Sequence, residues 1–217
     1  MKKDELIKAV STLKAEHKKK FDQSVELIVT IKDLDMKKND NQQDFYVNLH
    51  YDRGKKIKVC ALVAADMADE AKEVFDHVIV QGEFDTYAKD KKAVKKLADQ
   101  YDYFVAQATA MTQVAATFGR VLGPRGKMPN PKAGCVLPPK AALKPVYERL
   151  QKTIRVRTRA SYMMQVPVGK ENQSDEILID NIQTVYDSIV QHLPQQINNI
   201  KEVFVKKSMS PIIKINT

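Results

Sequence analysis

Two kinds of strand pattern are written into this chain, and their order constrains its fold more than any other feature. Ser24 to Lys32 alternates, with Val25, Leu27, Val29 and Ile31 facing one way and Ser24, Glu26, Thr30 and Lys32 the other, Ile28 being the exception. Such a strand is packed on one face only. Asp44 to His50 repeats the pattern through Phe45, Val47 and Leu49, so the two stretches are expected to form an antiparallel pair with one wet face. After Thr153 the alternation returns, with Ile154, Val156 and Thr158 on one face and Arg155, Arg157 and Arg159 on the other. Between these ends the text changes. Val59–Ala65, His77–Val80 and Tyr103–Ala106 are almost wholly apolar, as strands covered on both faces are. Expected helices at about 66–75, 90–99, 109–122 and 141–152 separate or follow them, which argues for parallel βαβ units. The architecture implied is α/β: a discontinuous α+β terminal domain, 1–53 and 153–217, with a second α/β domain inserted at 54–152. Two chain crossings would join them, a natural hinge.

Helices complete the terminal domain. Leu6, Ala9, Val10 and Leu13 recur at helical spacing, and the basic run His17-Lys18-Lys19-Lys20 follows where a helix dipole favours cations. Leu178, Ile182, Val185, Tyr186, Ile189 and Leu193 form a long stripe, with Ser174 as N-cap, Asp175 and Glu176 in the first turn, and Pro194 as the stop. Two short strands, about 200–206 and 212–215, end the chain around Ser208-Met209-Ser210-Pro211.

Charge narrows the partners. The chain carries 36 Lys+Arg against 27 Asp+Glu, net +9, which fits a polyanion. Tyr103 to Tyr147 contains no acid and six bases, and Thr153 to Lys170 holds Arg155, Arg157, Arg159 and Lys170 with no acid among them. Arginines at i, i+2 and i+4 project from one strand face about 7 Å apart, near the phosphate spacing of a nucleic-acid strand. Lys18 to Lys20 beside Phe21 offers phosphate contact with stacking, and Ser24, Glu26, Ser208 and Ser210 offer hydroxyls and a carboxylate that can meet a 2′-OH or a base edge. No apolar run approaches the roughly 20 residues that span a bilayer, so no membrane partner is expected. Cys60 and Cys135 form no CxxC, which excludes a disulfide framework and a cysteine zinc site and fits a cytoplasmic protein.

Catalysis finds little footing. The histidines (17, 50, 77, 192) share no motif with a nucleophile, no metal set or cofactor signature appears, and Asp33 and Asp35 read as turn chemistry. Met163-Met164 reads as core filling. Gly119–Gly134, GRVLGPRGKMPNPKAG, is the one loop an enzyme could use, as a phosphate- or nucleotide-handling site that would need Lys127, while Arg125, Lys127 and Lys132 are otherwise expected to serve a secondary RNA contact or a hinge loop. It fails the Walker pattern, since Val121 and Met128 stand where Gly and Ser/Thr are needed, and it follows a helix rather than a strand. The rival reading is an ordered structural loop near the hinge. A nonspecific polyanion binder is a third possibility.

LGPRGKMPNPKAG (122–134) resembles the signature loop of the large-subunit ribosomal protein L-one family, whose members sit on the mobile stalk beside the tRNA exit site. KFDQSVEL (20–27), AQATAM (106–111), RVRTR (155–159) and VKKSMSP (205–211) follow in the family's order, and the likeness is nearest the archaeal branch. The resemblance implies that the inserted domain is a Rossmann-like three-layer α/β domain, and that the terminal domain grips ribosomal RNA through one wet sheet face. Lys20, Phe21, Ser24 and Glu26 match the family's first RNA-contact motif. Ser208, Met209, Ser210 and Pro211 match its Thr-Met-Gly-Pro turn, with Ser210 replacing a glycine. The implied protein is no enzyme and needs no cofactor or metal. It is a monomer when free, works in the cytoplasm on the large ribosomal subunit, assists release of deacylated tRNA from the exit site, and represses translation of its own mRNA. The middle segment, with 17 bases against 11 acids, would serve a secondary RNA or tRNA contact.

Overall fold

The computed structural model describes residues 3–16, 19–34, 42–139, 141–158 and 161–216. Arg159, His17, Lys18, Asp35, Lys140 and most of the polar stretch 37–43 lie outside them. The chain opens with helix α1 (Lys3–Ala15) and strands β1 (Ser24–Ile31), β2 (Asp44–Asn48) and β3 (Val59–Val63). Helix α2 (Ala68–Val74), strand β4 (His77–Val80), and helices α3 (Phe84–Lys89) and α4 (Lys91–Gln100) come next. Then follow β5 (Tyr103–Gln107), α5 (Met111–Leu122), β6 (Val136–Leu137) and α6 (Leu143–Lys152). The last elements are β7 (Thr153–Arg157), β8 (Met163–Lys170), α7 (Asp175–His192), β9 (Ile200–Lys207) and β10 (Ile213–Ile215). The α/β class expected from the sequence is the one observed. The chain divides into two units, Met1–Lys55 with Lys152–Thr217, and Lys56–Gln151.

In the discontinuous unit a four-stranded antiparallel sheet runs β10-β9-β1-β8, and β2 pairs with β7 as a separate ladder. The antiparallel pair expected between 24–32 and 44–50 therefore does not form. Alternation declares which face of a strand is dry, not which strand lies beside it. Both edges of β1 are taken by β8 and β9, so β2 finds β7 instead. That ladder is extended by Thr158 N–H on the Gln43 carbonyl and Leu49 N–H on the Lys152 carbonyl, both 2.9 Å.

The helices follow their apolar stripes. Leu6, Val10 and Leu13 of α1, with Leu178, Ile182, Val185 and Ile189 of α7, are buried in one cluster with Val25, Leu27 and Val29 of β1 and Val203 and Val205 of β9. Each such aliphatic side chain contributes about 1.5–3 kcal/mol on burial. Ser174 accepts the Ile177 N–H as N-cap of α7.

Strand β8 is not expected from the sequence, because Pro167 and Gly169 interrupt it. The structure places it at the sheet edge, where a proline costs no ladder bond, and a register shift between Val25 and Glu26 absorbs the irregularity. Its two methionines part company: Met164 is buried, and Met163 is exposed rather than core.

The contiguous unit is a parallel sheet in the order β4-β3-β5-β6. Every residue of β3 is buried. Cys60, Leu62, Ile79, Phe104 and Ala106 meet Phe84 of α3, Val94 and Leu97 of α4, and Val114, Phe118 and Leu122 of α5. Helix α6 is tied in by Tyr147 edge-on to Phe75 and by the Gln151 amide, which bonds both backbone groups of Ile57 at 2.8 Å.

Candidate nucleic-acid interface

The sheet of the discontinuous unit has one face packed on α1 and α7 and one face open. The open face is given by register. Ser24, Glu26, Ile28 and Thr30 of β1 stand beside Met163, Gln165 and Pro167 of β8, and beside Glu202, Phe204 and Lys206 of β9. Met163, Gln165 and Pro167 are exposed, and Ser24, Glu26, Thr30, Glu202, Phe204 and Lys206 are half-buried. Ile28, the exception in the alternation, is the one buried member of this set, at 8% exposure. Glu26 accepts a hydrogen bond from the Gln165 amide, and the Thr30 hydroxyl lies 3.0 Å from both the Glu202 carbonyl and the Glu202 N–H. The Lys214 ammonium, 2.7 Å from Glu202, holds that carboxyl below its usual range. Hydroxyls, a carboxylate, an amide and an amphipathic lysine on a flat open face suit sugar and base-edge contacts more than simple phosphate attraction.

At one end of this face the two expected motifs meet. The Ser208 N–H donates to the Ser24 carbonyl at 3.0 Å, and the Met209 N–H donates to the Gln23 side-chain oxygen at 3.1 Å. Residues 184 positions apart are thus joined where β1 begins and β9 ends. Met209 is 63% exposed and Phe21 is 51% exposed, so each presents a large apolar side chain to a partner. Lys20 and Pro211 are exposed, and Ser208 and Ser210 half-buried. The glycine that Ser210 replaces is not needed for backbone reasons. The described non-glycine residues at positive φ are Asp33 and Gln196, so Ser210 has an ordinary φ. Its hydroxyl accepts the Lys207 N–H at 2.8 Å and closes the turn.

The arginine row is distributed differently from the expectation. Arg155 is paired after all, although no acid lies near it in sequence. Asp44, across the ladder on β2, takes its Nε at 2.7 Å and its Nη2 at 2.5 Å, and the guanidinium lies 5.6 Å from the Tyr46 ring centre. Arg157, on the same strand face, is exposed. Arg159 lies outside the described residues. Strand β7 belongs to the two-stranded ladder and not to the sheet bearing Ser24 and Ser208.

The loop 119–134 in the contiguous unit is built inward. Lys127 sends its ammonium to the carbonyls of Ala98 and Tyr101, at 2.8 and 2.7 Å, capping the C-terminal end of α4. Arg125 pairs with Asp99 on the same helix. Asn130 caps the short turn 131–133 by accepting the Lys132 N–H, leaving the Lys132 side chain exposed. Gly134 sits at φ +70°, and the Arg149 guanidinium fills the space a Cβ would need.

An open cleft of about 560 Å³ lies at the C-terminal end of β4, lined by Val80, Gln81, Phe84, Asp85 and Gln113 among others, and residues of the loop are not in its wall. At the neighbouring ends of β3 and β5, where order reversal would open a nucleotide crevice, buried Gln107 bonds the Ala64 N–H and the Asp66 carboxylate. These observations count against the phosphate-loop enzyme. Among the described residues, no cluster of three or more metal-ligating side chains occurs, and no helix is long and apolar enough to cross a membrane.

Three polar residues under the turn, buried Gln23 and Lys207 and half-buried Glu171, are missed by sequence reasoning. The available signal is Lys207 itself, a lysine on the inward side of an alternating strand after Val203 and Val205.

Comparison with known proteins agrees with these features. The pattern of the Ribosomal protein L1p/L10e family matches residues 13–211. The chain is similar to the large ribosomal subunit protein uL1 of Methanobrevibacter smithii, 37% identical over 97% of this chain and 98% of that one. It is similar to the protein of the same name from Methanocaldococcus jannaschii, at 36% over 99% and 96%. Archaeoglobus fulgidus has another at 36%, over 98% of each chain.

Proposed function

The chain belongs to the Ribosomal protein L1p/L10e family, and its relatives above are archaeal; on that premise we propose that it is a non-catalytic RNA-binding protein of the large ribosomal subunit. The observation that carries the reading is the junction of Ser24 with Ser208 at the end of an open sheet face, which brings the Lys20–Glu26 and Ser208–Pro211 motifs to one place. In this reading Phe21 and Met209 pack on exposed sugar or base surface, while Ser24, Glu26 and Ser208 meet 2′-hydroxyls and base edges. Arg157 and Lys20 supply phosphate contacts, and Arg155 braces its own ladder through Asp44. The target is the ribosomal RNA of the stalk. From this place the protein would take part in release of deacylated exit-site tRNA, and a mimic of the same RNA in its own mRNA would make it a repressor. It would act in the cytoplasm, as a monomer until it joins the subunit. Of Arg125, Lys127 and Lys132, the first pairs with Asp99 and the second caps α4, so exposed Lys132 is the one taken for a secondary contact.

The test is a gel-shift titration at about 0.3 M salt, where phosphate-only binding largely collapses. The probes are a stalk ribosomal RNA fragment and a scrambled RNA of equal length. The expected result is selective binding of the stalk fragment, weakened about tenfold by the uncharged change Met209→Ala, the scale of a buried contact residue. Equal, salt-erased binding to both probes would refute the reading and leave a nonspecific polyanion binder.

A further inference from the structure

We propose that Lys207, Glu171 and Gln23 are positioning residues that hold the Ser208–Pro211 turn in its RNA-binding shape, an inference that rests on the function proposed above. The Lys207 side chain is completely buried. Its ammonium donates to the Glu16 carbonyl at 2.6 Å, just past the C-terminal end of α1, and lies 3.3 Å from the Glu171 carboxylate. That carboxylate accepts the Gln23 backbone N–H at 3.2 Å and the Gln23 amide at 3.3 Å. The amide oxygen of Gln23, itself fully buried, accepts the N–H of Met209. A continuous relay therefore runs from a buried cation to the backbone of the most exposed apolar residue in the turn.

The relay ties together four separate parts of the chain: the end of α1, the start of β1, the residue after β8, and the end of β9. Two of these carry the Lys20–Glu26 and Ser208–Pro211 motifs. An apolar residue at position 207 would continue the pattern of Val203 and Val205 without the desolvation cost of a buried ion. What the ion pair adds is direction. A lysine aimed at one carbonyl and one carboxylate fixes Glu171, Glu171 fixes Gln23, and Gln23 fixes where Met209 leaves the strand. Pre-organisation of this kind strengthens binding by removing the cost of ordering the turn on contact.

Gln23→Met tests this, since it keeps the side-chain volume and removes the amide. Three quantities are read on the full chain: selective affinity for the stalk RNA fragment, affinity for the scrambled RNA, and hydrogen exchange at the Met209 amide. The expected result is about tenfold weaker selective affinity, unchanged scrambled-RNA affinity and faster Met209 exchange, with the thermal midpoint near that of the parent. Parent-like selective affinity in a folded variant would overturn the positioning role and leave the proposed function standing. If the parent itself fails to discriminate the two RNAs, the proposed function falls with it, and that is seen before any variant is compared. Should Gln23→Met not fold, the double change Lys207→Met with Glu171→Gln replaces the ion pair by neutral groups of similar volume. A folded double variant with several-fold weaker selective affinity supports the relay, and one with parent affinity overturns it.

Discussion

Lys127 gives the sharpest test of whether the glycine-rich loop is a binding device or a brace. Its ammonium makes two hydrogen bonds, 2.8 and 2.7 Å, to the Ala98 and Tyr101 carbonyls at the end of α4, and the side chain is half-buried. Charge-assisted bonds of this type contribute about 1.5–3 kcal/mol when the partner is left dry. Water can reach these carbonyls in part, so Lys127→Met, which keeps the stem and removes the charge, should cost about 1–2 kcal/mol. For a unit of roughly 100 residues, 1 kcal/mol shifts the melting point by about 4–8 °C, so the drop expected is about 4–16 °C. Calorimetry on the full chain reads the shift, and the stalk-RNA titration reads affinity, which should change less than about twofold, within the scatter of surface substitutions remote from a site. An unchanged melting point with a tenfold loss of RNA affinity, or of nucleotide binding, would refute the brace and return the loop to function.

The two described arginines of the row should separate. Asp44→Asn breaks the pair with a partly exposed Arg155 and should lower urea stability by about 0.5–1 kcal/mol with little effect on RNA. Arg157→Ala should leave stability alone, weaken RNA binding across sequences and reduce the salt slope by about one. Alkaline pH should loosen the contiguous unit. Burial pushes the Cys60 thiol up to about 12 and the Cys135 thiol up to about 11, so both stay protonated in the folded chain while the unfolded chain ionises near 9. Stability should therefore be fully present below about pH 9 and fall by about 1.4 kcal/mol per pH unit for each thiol from there to 11. Cys60→Ala should flatten the decline measured by thermal unfolding against pH.

Much of the fold was legible because side-chain period reports the dry face directly. Ser24–Lys32, Asp44–His50 and Thr153–Arg157 carry that signal, and Val59–Val63 announces a strand covered on both sides. Partners were not legible, as the failed pairing of β1 with β2 illustrates: neighbour choice depends on which strands return from a distance. Strand β8 was hidden by Pro167 and Gly169, which only its edge position accommodates. Helix α3 escaped because six residues span too few turns to show a stripe. At the candidate interface exposed Phe21 and Met209 and half-buried Ser24 and Glu26 are read from the sequence, whereas the bond from Arg155 to Asp44 joins residues 111 apart. Gln23, Glu171 and Lys207 become a unit only in three dimensions: Lys207 alone is marked in the sequence, by its inward position after Val203 and Val205, and nothing there names its partners.

The bond between Ser24 and Ser208 also sets a clock. The contiguous unit, 56–151, can fold as soon as its own segment has been synthesised, since its contacts are internal. The open sheet face cannot. β1 waits for β8 and β9, which pair with it from more than a hundred residues downstream, and the turn at 208–211 emerges later still. At about 5–20 residues per second, several seconds to tens of seconds pass between translation of the first strand and its last partner. During that interval a nascent chain displays Lys20 and Phe21 without the sheet face on which the proposed selectivity rests. Discrimination between RNAs should arrive abruptly, once the final strand has docked.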